Sequence, residues 1–372
     1  METLFPQWDS ILQSNPSLTI FSTPEWLSSW WNAYGTDKEL VFLTLHEEKL
    51  LSSVIPLYRE PIGFPLPPHS YRLRLIGDGS GDSDNLDVPI CPRHESAAMS
   101  ALCDWLSAQT TWSECCLDTL PENSGALGFL IDELSRRQWP FRTARTSRWY
   151  IPLPDTWGAY VESLSPEFRP LLVRYPRRLE SRHHCRFIQC RTRSDLQKYL
   201  PALFELHQKR WELVGESGSF AKEERKRFYE RMSEAFLRRG WLEFWILELD
   251  GAVAAAQFCF QYNKSVYLLQ EGFDPKYAKD KVGYALRSKM LQHFIQQHFD
   301  RYDFLGGTQA HKLRFGAVEG TYVNVHFAKP YSPGAAYLRY HHRAERTRNW
   351  LKAHLPPQAV SLIRKVRSVG IS

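Results

Sequence analysis

No run of about 18 apolar residues occurs in the 372-residue chain, so no membrane-spanning helix is expected. The opening stretch, METLFPQWDSILQS, lacks a basic segment followed by an apolar one, which argues against a signal peptide. Cysteine is sparse and scattered: Cys91, Cys103, Cys115, Cys116, Cys185, Cys190 and Cys259 form no C-x-x-C pair. An odd, dispersed set excludes a disulfide scaffold and fits reduced thiols in a cytoplasm. In HHCRFIQC, His183 to Cys190, a strand would point Cys185 and Cys190 to opposite faces, so no metal site is expected. No short repeat is visible.

Most of the chain also lacks a charge excess. From Tyr331 onward eight basic residues (Arg339, Arg343, Arg346, Arg348, Lys352, Arg364, Lys365, Arg367) face one acidic residue, Glu345. The preceding 330 residues carry 39 basic and 40 acidic side chains, so the overall +6 resides in an appendage. Leu362, Ile363, Val366 and Val369 give that tail an apolar side. A basic amphipathic end suits an anionic membrane surface, and equally a solvated helix packed on the body. Nucleic acid is a weaker partner, since the body shows no recognised nucleic-acid module.

What is present is substantial. A hydrophobic fraction of 43% with 14% aromatics supports a large core, and the length suits two domains. STPEWLSSWWNAYG reads as a capped helix, and ELVFLTLHEEKLLSSVIPLYRE as a hairpin turning at His46–Lys49. YRLRLIGDG and NLDVPI read as short strands around the loop GDGSGDSD. Residues 94–109 and NSGALGFLIDELSRRQ are helical, CCLDTL and FRTARTSRWYIPL extended. A boundary is expected near residue 150. The pattern then restarts, with a basic helical stretch that Pro170 and Pro176 should break or bend. A long helix capped by Ser194 or Asp195 follows, then one ending at Gly240. A three-strand meander turns at Asp250-Gly251 and Asn263-Lys264. After Phe273 come a basic loop, a helix from Gly283, and two strands.

The loop Asp280-Lys281-Val282-Gly283-Tyr284-Ala285 lies between strand and helix. Glycine permits close approach to backbone, and a helix N-terminus favours an anion. An ordinary strand-to-helix connection is the plain alternative. The order of elements resembles the N-acetyltransferase superfamily known as GNAT, whose loop reads Gln/Arg-x-x-Gly-x-Gly/Ala. Here Gly283 and Ala285 match, and Asp280 departs from the pattern. PEWLSSWWNAYG, GDSDNLD, LFELHQKRWELVG, GWLEFWILELDGAVAAAQF, EGFDPKYAK and YDFLGGTQAHKLRFG follow in order. Together they resemble two-domain acetyltransferases associated with bacterial cellulose and exopolysaccharide synthesis, which are similar to Fem peptidyltransferases.

The resemblance implies an α/β (α+β) fold of tandem GNAT-like domains, each a mixed, mainly antiparallel sheet flanked by helices, with the basic tail appended. The expected units are residues 1–150, 151–330 and 331–372. It implies an acyltransferase using acetyl-CoA or another acyl-CoA, acting on an amino or hydroxyl group of a sugar or envelope-polymer precursor. Aminoacyl-tRNA is the alternative donor, and a non-catalytic accessory role to a polysaccharide synthase is a third reading. Leu269, Gln270, Gly272 and Phe273 would flank the pantetheine. Lys279, Lys281, Val282, Gly283 and Ala285 would hold the diphosphate. Glu271 and His207 are candidate bases, against readings as a solvated strand-end carboxylate and a satisfied helix histidine. Tyr284 would protonate the leaving thiolate, or simply pack. Lys312, in GGTQAHKLRFG, would stabilise an oxyanion or bind acceptor anions, or belong to a solvated charge cluster. Asp78, Asp82, Asp84 and Asp87 read as an acceptor loop or a flexible surface loop, and lack the closing Glu of an EF-hand. The location expected is the cytoplasm, with peripheral contact at the inner membrane face as the alternative that the basic tail offers.

Overall fold

The computed structural model describes residues 4–63, 66, 70–212, 218–307 and 310–340. Its strands are β1 (Glu39–Glu47), β2 (Leu50–Pro61), β3 (Tyr71–Leu75), β4 (Trp112–Pro121), β5 (Phe141–Pro152), β6 (Cys185–Gln189), β7 (Leu242–Leu249), β8 (Ala252–Tyr262), β9 (Ser265–Phe273), β10 (Arg301–Asp303) and β11 (Val318–Phe327). The helices are α1 (Phe5–Ser14), α2 (Pro24–Tyr34), α3 (Glu95–Ala108), α4 (Gly125–Arg136), α5 (Trp157–Ser163), α6 (Arg169–Glu180), α7 (Arg193–Glu212), α8 (Glu223–Arg239), α9 (Val282–Gln296) and α10 (Ala310–Arg314). Residues 333–340 are also helical. The remainder of the expected basic tail lies outside the described residues.

Turn chemistry sets the strand order. Glu48-Lys49, Asp250-Gly251 and Asn263-Lys264 all take positive φ, as two-residue hairpins require, and they join β1–β2, β7–β8 and β8–β9. All eleven strands form one sheet in the order β1-β2-β3-β4-β11-β5-β10-β9-β8-β7-β6. Pairing is antiparallel except at β3/β4 and β9/β10, one parallel pair in each half. The sheet therefore runs unbroken past residue 150. The last strand, β11, inserts between β4 and β5 of the first half.

Several local expectations need correction. NLDVPI is not a regular strand; its only ladder contact among the described residues is a bridge from Ile90 to Ser53. The α7 cap is Thr192, whose Oγ1 accepts the Asp195 amide at 3.1 Å while Asp195 accepts the Thr192 amide at 2.9 Å. Helix α6 does not break at Pro176. That proline lacks the N–H that would bond Leu172, and the Leu172 carbonyl instead accepts the Ser288 hydroxyl of α9 at 2.9 Å. A helix defect thus becomes a docking contact.

The acidic loop is packed rather than flexible. Asp78 pairs with Arg74, and Asp82 with Arg225 of α8 and the Tyr34 hydroxyl. Asp87 is buried and accepts the Ser124 hydroxyl at 2.7 Å and the Val88 amide at 2.8 Å. Burial pushes its carboxyl up to about 6, against the pull of those two donors. A raised carboxyl pKa favours the protonated folded state, so this group's cost is absent at about pH 4 and complete above pH 6, reaching at most roughly 3 kcal/mol. Asp87→Asn keeps an oxygen for both donors. It should raise stability above about pH 6 and flatten the decline between about pH 4 and 6, measured by urea denaturation across pH.

Candidate active site

The parallel pair β9/β10 is short. Arg301, Tyr302 and Asp303 match Ser265, Val266 and Tyr267, after which the chain of β10 leaves the sheet. From Leu268 onward β9 keeps β8 on one side and has no strand on the other among the described residues. Leu269 is an extra residue in the β8/β9 ladder, since Phe258 pairs Gln270 and Cys259 pairs Leu268. Such a bulge re-aims the side chains that follow it. The half-open strand faces a cavity of about 300 Å³ lined by Gln257, Glu271, Gly272, Tyr284, Arg287 and His311, among others.

The first turn of α9 forms one wall. Lys281 precedes it with φ +56°, a left-handed conformation uncommon for a side chain with a Cβ. Tyr284 and Ala285 both turn their amides onto the Lys281 carbonyl. Helix geometry leaves the earlier amides, of Val282 and Gly283, without intrahelical acceptors. Gly283 lines the cavity, and a Cβ there would meet nothing within 4 Å. Asp280 does not line it. Its carboxylate pairs with Arg178 of α6 at 3.0 Å and with Arg182, just past the end of that helix, at 3.5 Å. The acidic departure from the loop pattern is thus balanced by two guanidiniums.

Beneath the cavity lies a buried polar network. The Arg287 guanidinium pairs with Glu271 and lies over the rings of Phe304 (5.0 Å) and Phe315 (4.9 Å). Its Nε is buried with no hydrogen-bond partner among the described residues. Burial would depress the Arg287 pKa, but Glu271, Tyr302 and Cys259 together more than offset that and hold it above its ordinary value. The Gln257 amide donates to Glu271 Oε2 at 3.2 Å and to the Gly283 carbonyl at 3.3 Å. The Tyr302 hydroxyl reaches Gln257 Oε1 at 3.5 Å. Both Arg287 and Gln257 thus engage one oxygen of Glu271.

The remaining expected residues separate by position. Phe273, Lys281, Val282, Gly283 and Tyr284 line the cavity with Glu271 and Gly272. Tyr284 also packs in a ring cluster with Phe168, Tyr175 and Phe315. Lys279 is exposed outside the lining, Ala285 is core, and Leu269 and Gln270 are half-buried on β9. His207 is buried on α7, its ring 5.0 Å from that of Phe220. It lies on the α7 side of Gly272, where an added Cβ would come within 2.8 Å of Leu206 Cβ and 3.1 Å of His207 N. The structure does not bring it into the cavity.

Lys312 is buried and donates to the carbonyls of Phe304 and Leu305 at 3.3 Å, and to that of Gly306. Burial pushes its pKa down, against the pull of Asp303 and Asp84. Asp84 of the acidic loop accepts the Gly306 amide at 2.9 Å. Lys312 and Asp84 therefore clamp the turn after β10 from both sides, and the neighbouring residue His311 meets the cavity. Elsewhere, Glu114, Cys116 and His326 bring metal-ligand atoms within 4.8 Å of one another. Two of the three are engaged: Arg72 pairs with Glu114, while Arg142 and Asp118 take the two nitrogens of His326.

Arg287 and Gln257 were not among the expected site residues. Their signal is a polar side chain inside an apolar run: AAAQFCF for Gln257, and the stripe Val282, Ala285, Leu286, Met290 for Arg287. Arg287→Met should cost roughly 1–3 kcal/mol by denaturant unfolding. That is less than a fully buried pair, because the Glu271 side chain remains 26% exposed. Adding Glu271→Gln should recover part of the loss. Gly272→Ala should cost about 1–3 kcal/mol in the same assay, because the α7 backbone must retreat.

Residues 168–313 match the family model described as acetyltransferase (GNAT) domain. No curated protein matches the chain. Among solved structures it is similar to FemX, with a TM-score of 0.61 and 11% identity over 86% of this chain and 95% of that one. A conserved protein of unknown function from Bacteroides thetaiotaomicron VPI-5482 gives a TM-score of 0.56 and 14% identity, covering 87% and 97%. L-PGS from Bacillus licheniformis gives 0.50 and 10% identity, covering 82% and 91%. Residues 168–313 thus carry a GNAT-type acetyltransferase domain, set in a chain that shares the fold of FemX.

Proposed function

We propose that this chain is an acyl-CoA-dependent acyltransferase whose donor lies along β9 and over the first turn of α9. The observation that carries this reading is the half-open β9 ending at a helix N-terminus with Gly283 facing open space. A strand with one unpaired edge can bind an extended group through its backbone, as an added strand would. That suits the amide-bearing pantetheine, flanked by Leu269, Gln270, Gly272 and Phe273. The amides of Val282 and Gly283 suit a diphosphate, with Lys279 and Lys281 nearby. A bound acyl-CoA would supply an electrophilic thioester carbonyl.

The residues of this chain then divide the remaining work. Arg287 and Gln257 engage Glu271 Oε2 and leave Oε1 without a donor among the described residues. Glu271 accepts the proton of the incoming amine or hydroxyl, held in place rather than free to rotate. Tyr284, on the cavity wall, returns a proton to the departing sulfur. His311 faces the same space and positions the acceptor. Lys312 acts through the turn it clamps. The acceptor class, a sugar or envelope-polymer precursor, rests on the ordered motifs of the sequence.

A second donor, aminoacyl-tRNA, is favoured by one observation. Arg174 and Arg177 are exposed on α6, the helix whose Arg178 meets Asp280 beside the loop. Calorimetric titration of acetyl-CoA and coenzyme A separates the two readings. Wild type should bind, and Gly283→Glu should bind about a hundredfold more weakly through bulk and like charge. Glutamate is favourable in a first helical turn and finds room here, so the variant should fold normally by circular dichroism. Absence of coenzyme A binding, with salt-sensitive tRNA retention instead, would select the second donor.

A further inference from the structure

A second cavity, of about 510 Å³, opens at the other end of α9. Its walls include Gln189, Arg191, Glu243, Gln261, His293 and Gln297, with Phe299 closing one side. From Gly283 to His293 the helix rises about 15 Å, so this space is remote from the donor cavity. Its volume falls in the range of about 300–1,000 Å³ typical of small-ligand sites.

Glu243 is the informative residue. It is 5% exposed yet lines the cavity. Its Oε2 accepts the Gln189 amide at 2.7 Å and the Trp245 indole N–H at 2.9 Å. Oε1 has no hydrogen-bond donor among the described residues. Burial pushes the Glu243 carboxyl up, while Trp245, Arg191 and Gln189 pull it back. Gln189 Oε1 is itself fixed by the Arg191 guanidinium at 2.6 Å. The Glu243 carboxylate is therefore fixed at Oε2 by Gln189 and Trp245, with Arg191 holding Gln189, on the wall of the cavity.

The charges narrow the ligand. An anion would meet Glu243, and a cation would meet Arg191 at the rim. Neutral hydroxyls can donate to the carboxylate and both donate to and accept from the carboxamides of Gln261 and Gln297. Phe299 offers an apolar face. We propose that this cavity binds a neutral polyhydroxylated ring, a pyranose sugar, as a site separate from the transferase cavity. The proposal stands on these residues and does not depend on the donor reading. A sugar held here is too far from Glu271 to react, so the site tethers rather than transforms it.

Saturation-transfer NMR on the full chain tests this, with glucose, maltose and lactose as neutral probes, choline as a cation and citrate as an anion. At least one neutral sugar should give a signal, and the charged probes none. Glu243→Gln and Gln261→Leu should each weaken sugar binding about tenfold or more. Coenzyme A binding should not change in either variant. Should Glu243→Gln fail to fold, the exposed Gln297→Ala carries the same expectation. No signal from any sugar at millimolar concentration, unchanged binding in the variants, or preference for choline or citrate would overturn the proposal.

Discussion

A guanidinium packed against aromatic rings sets the geometry of the cavity beside β9 and α9. Arg287 sits where α9, a helix otherwise apolar on that face, meets the sheet. Its charge is tolerable there because Glu271 stands opposite and the rings of Phe304 and Phe315 lie beneath. Burying an unpaired charge would cost several kcal/mol, so the two residues must find each other for α9 to seat. Once seated, α9 presents its N-terminus to the cavity, and Glu271 presents its remaining oxygen. Gln257 ties both to the sheet by bonding Glu271 and the Gly283 carbonyl together.

A second clamp joins the two halves of the chain. The turn after β10 is gripped by Lys312 from its own half and by Asp84 from the other. Asp303 and Arg148 are packed beside it, with Arg148 also reaching Asn85 at 2.6 Å. The acidic loop is therefore a structural bracket for the second half. Charged groups here are spent on backbone carbonyls and amides, which rigidifies the wall that carries His311.

Much of this was legible in the sequence, for identifiable reasons. Two-residue turns such as Asp250-Gly251 announce themselves because few dipeptides adopt positive φ twice. Gly240 ends α8 in the left-handed conformation that glycine favours. The connection after Phe273 was readable because Asp274-Pro275 ends a strand and apolar residues then recur at helical spacing. Long-range pairings were not readable. Asp84 with Gly306 spans 222 residues, and Arg287 with Glu271 joins two elements that local spacing treats separately. Pro176 misled because its cost depends on whether another group takes the freed carbonyl, here Ser288. His207 looked available because a helix period does not say which side of a strand the helix covers.

The placement of β11 bears on how the chain is made. It is the last strand among the described residues, yet β4 and β5 both pair with it. During synthesis those two strands emerge long before their shared neighbour. Until residue 327 leaves the ribosome, each carries an open edge, the kind of surface that seeds misassembly between chains. The first half cannot finish its sheet on its own. Folding is thus held open until β11 exists, and a nascent chain stalled midway would be a sticky fragment in which β4 lacks one strand neighbour and β5 lacks both.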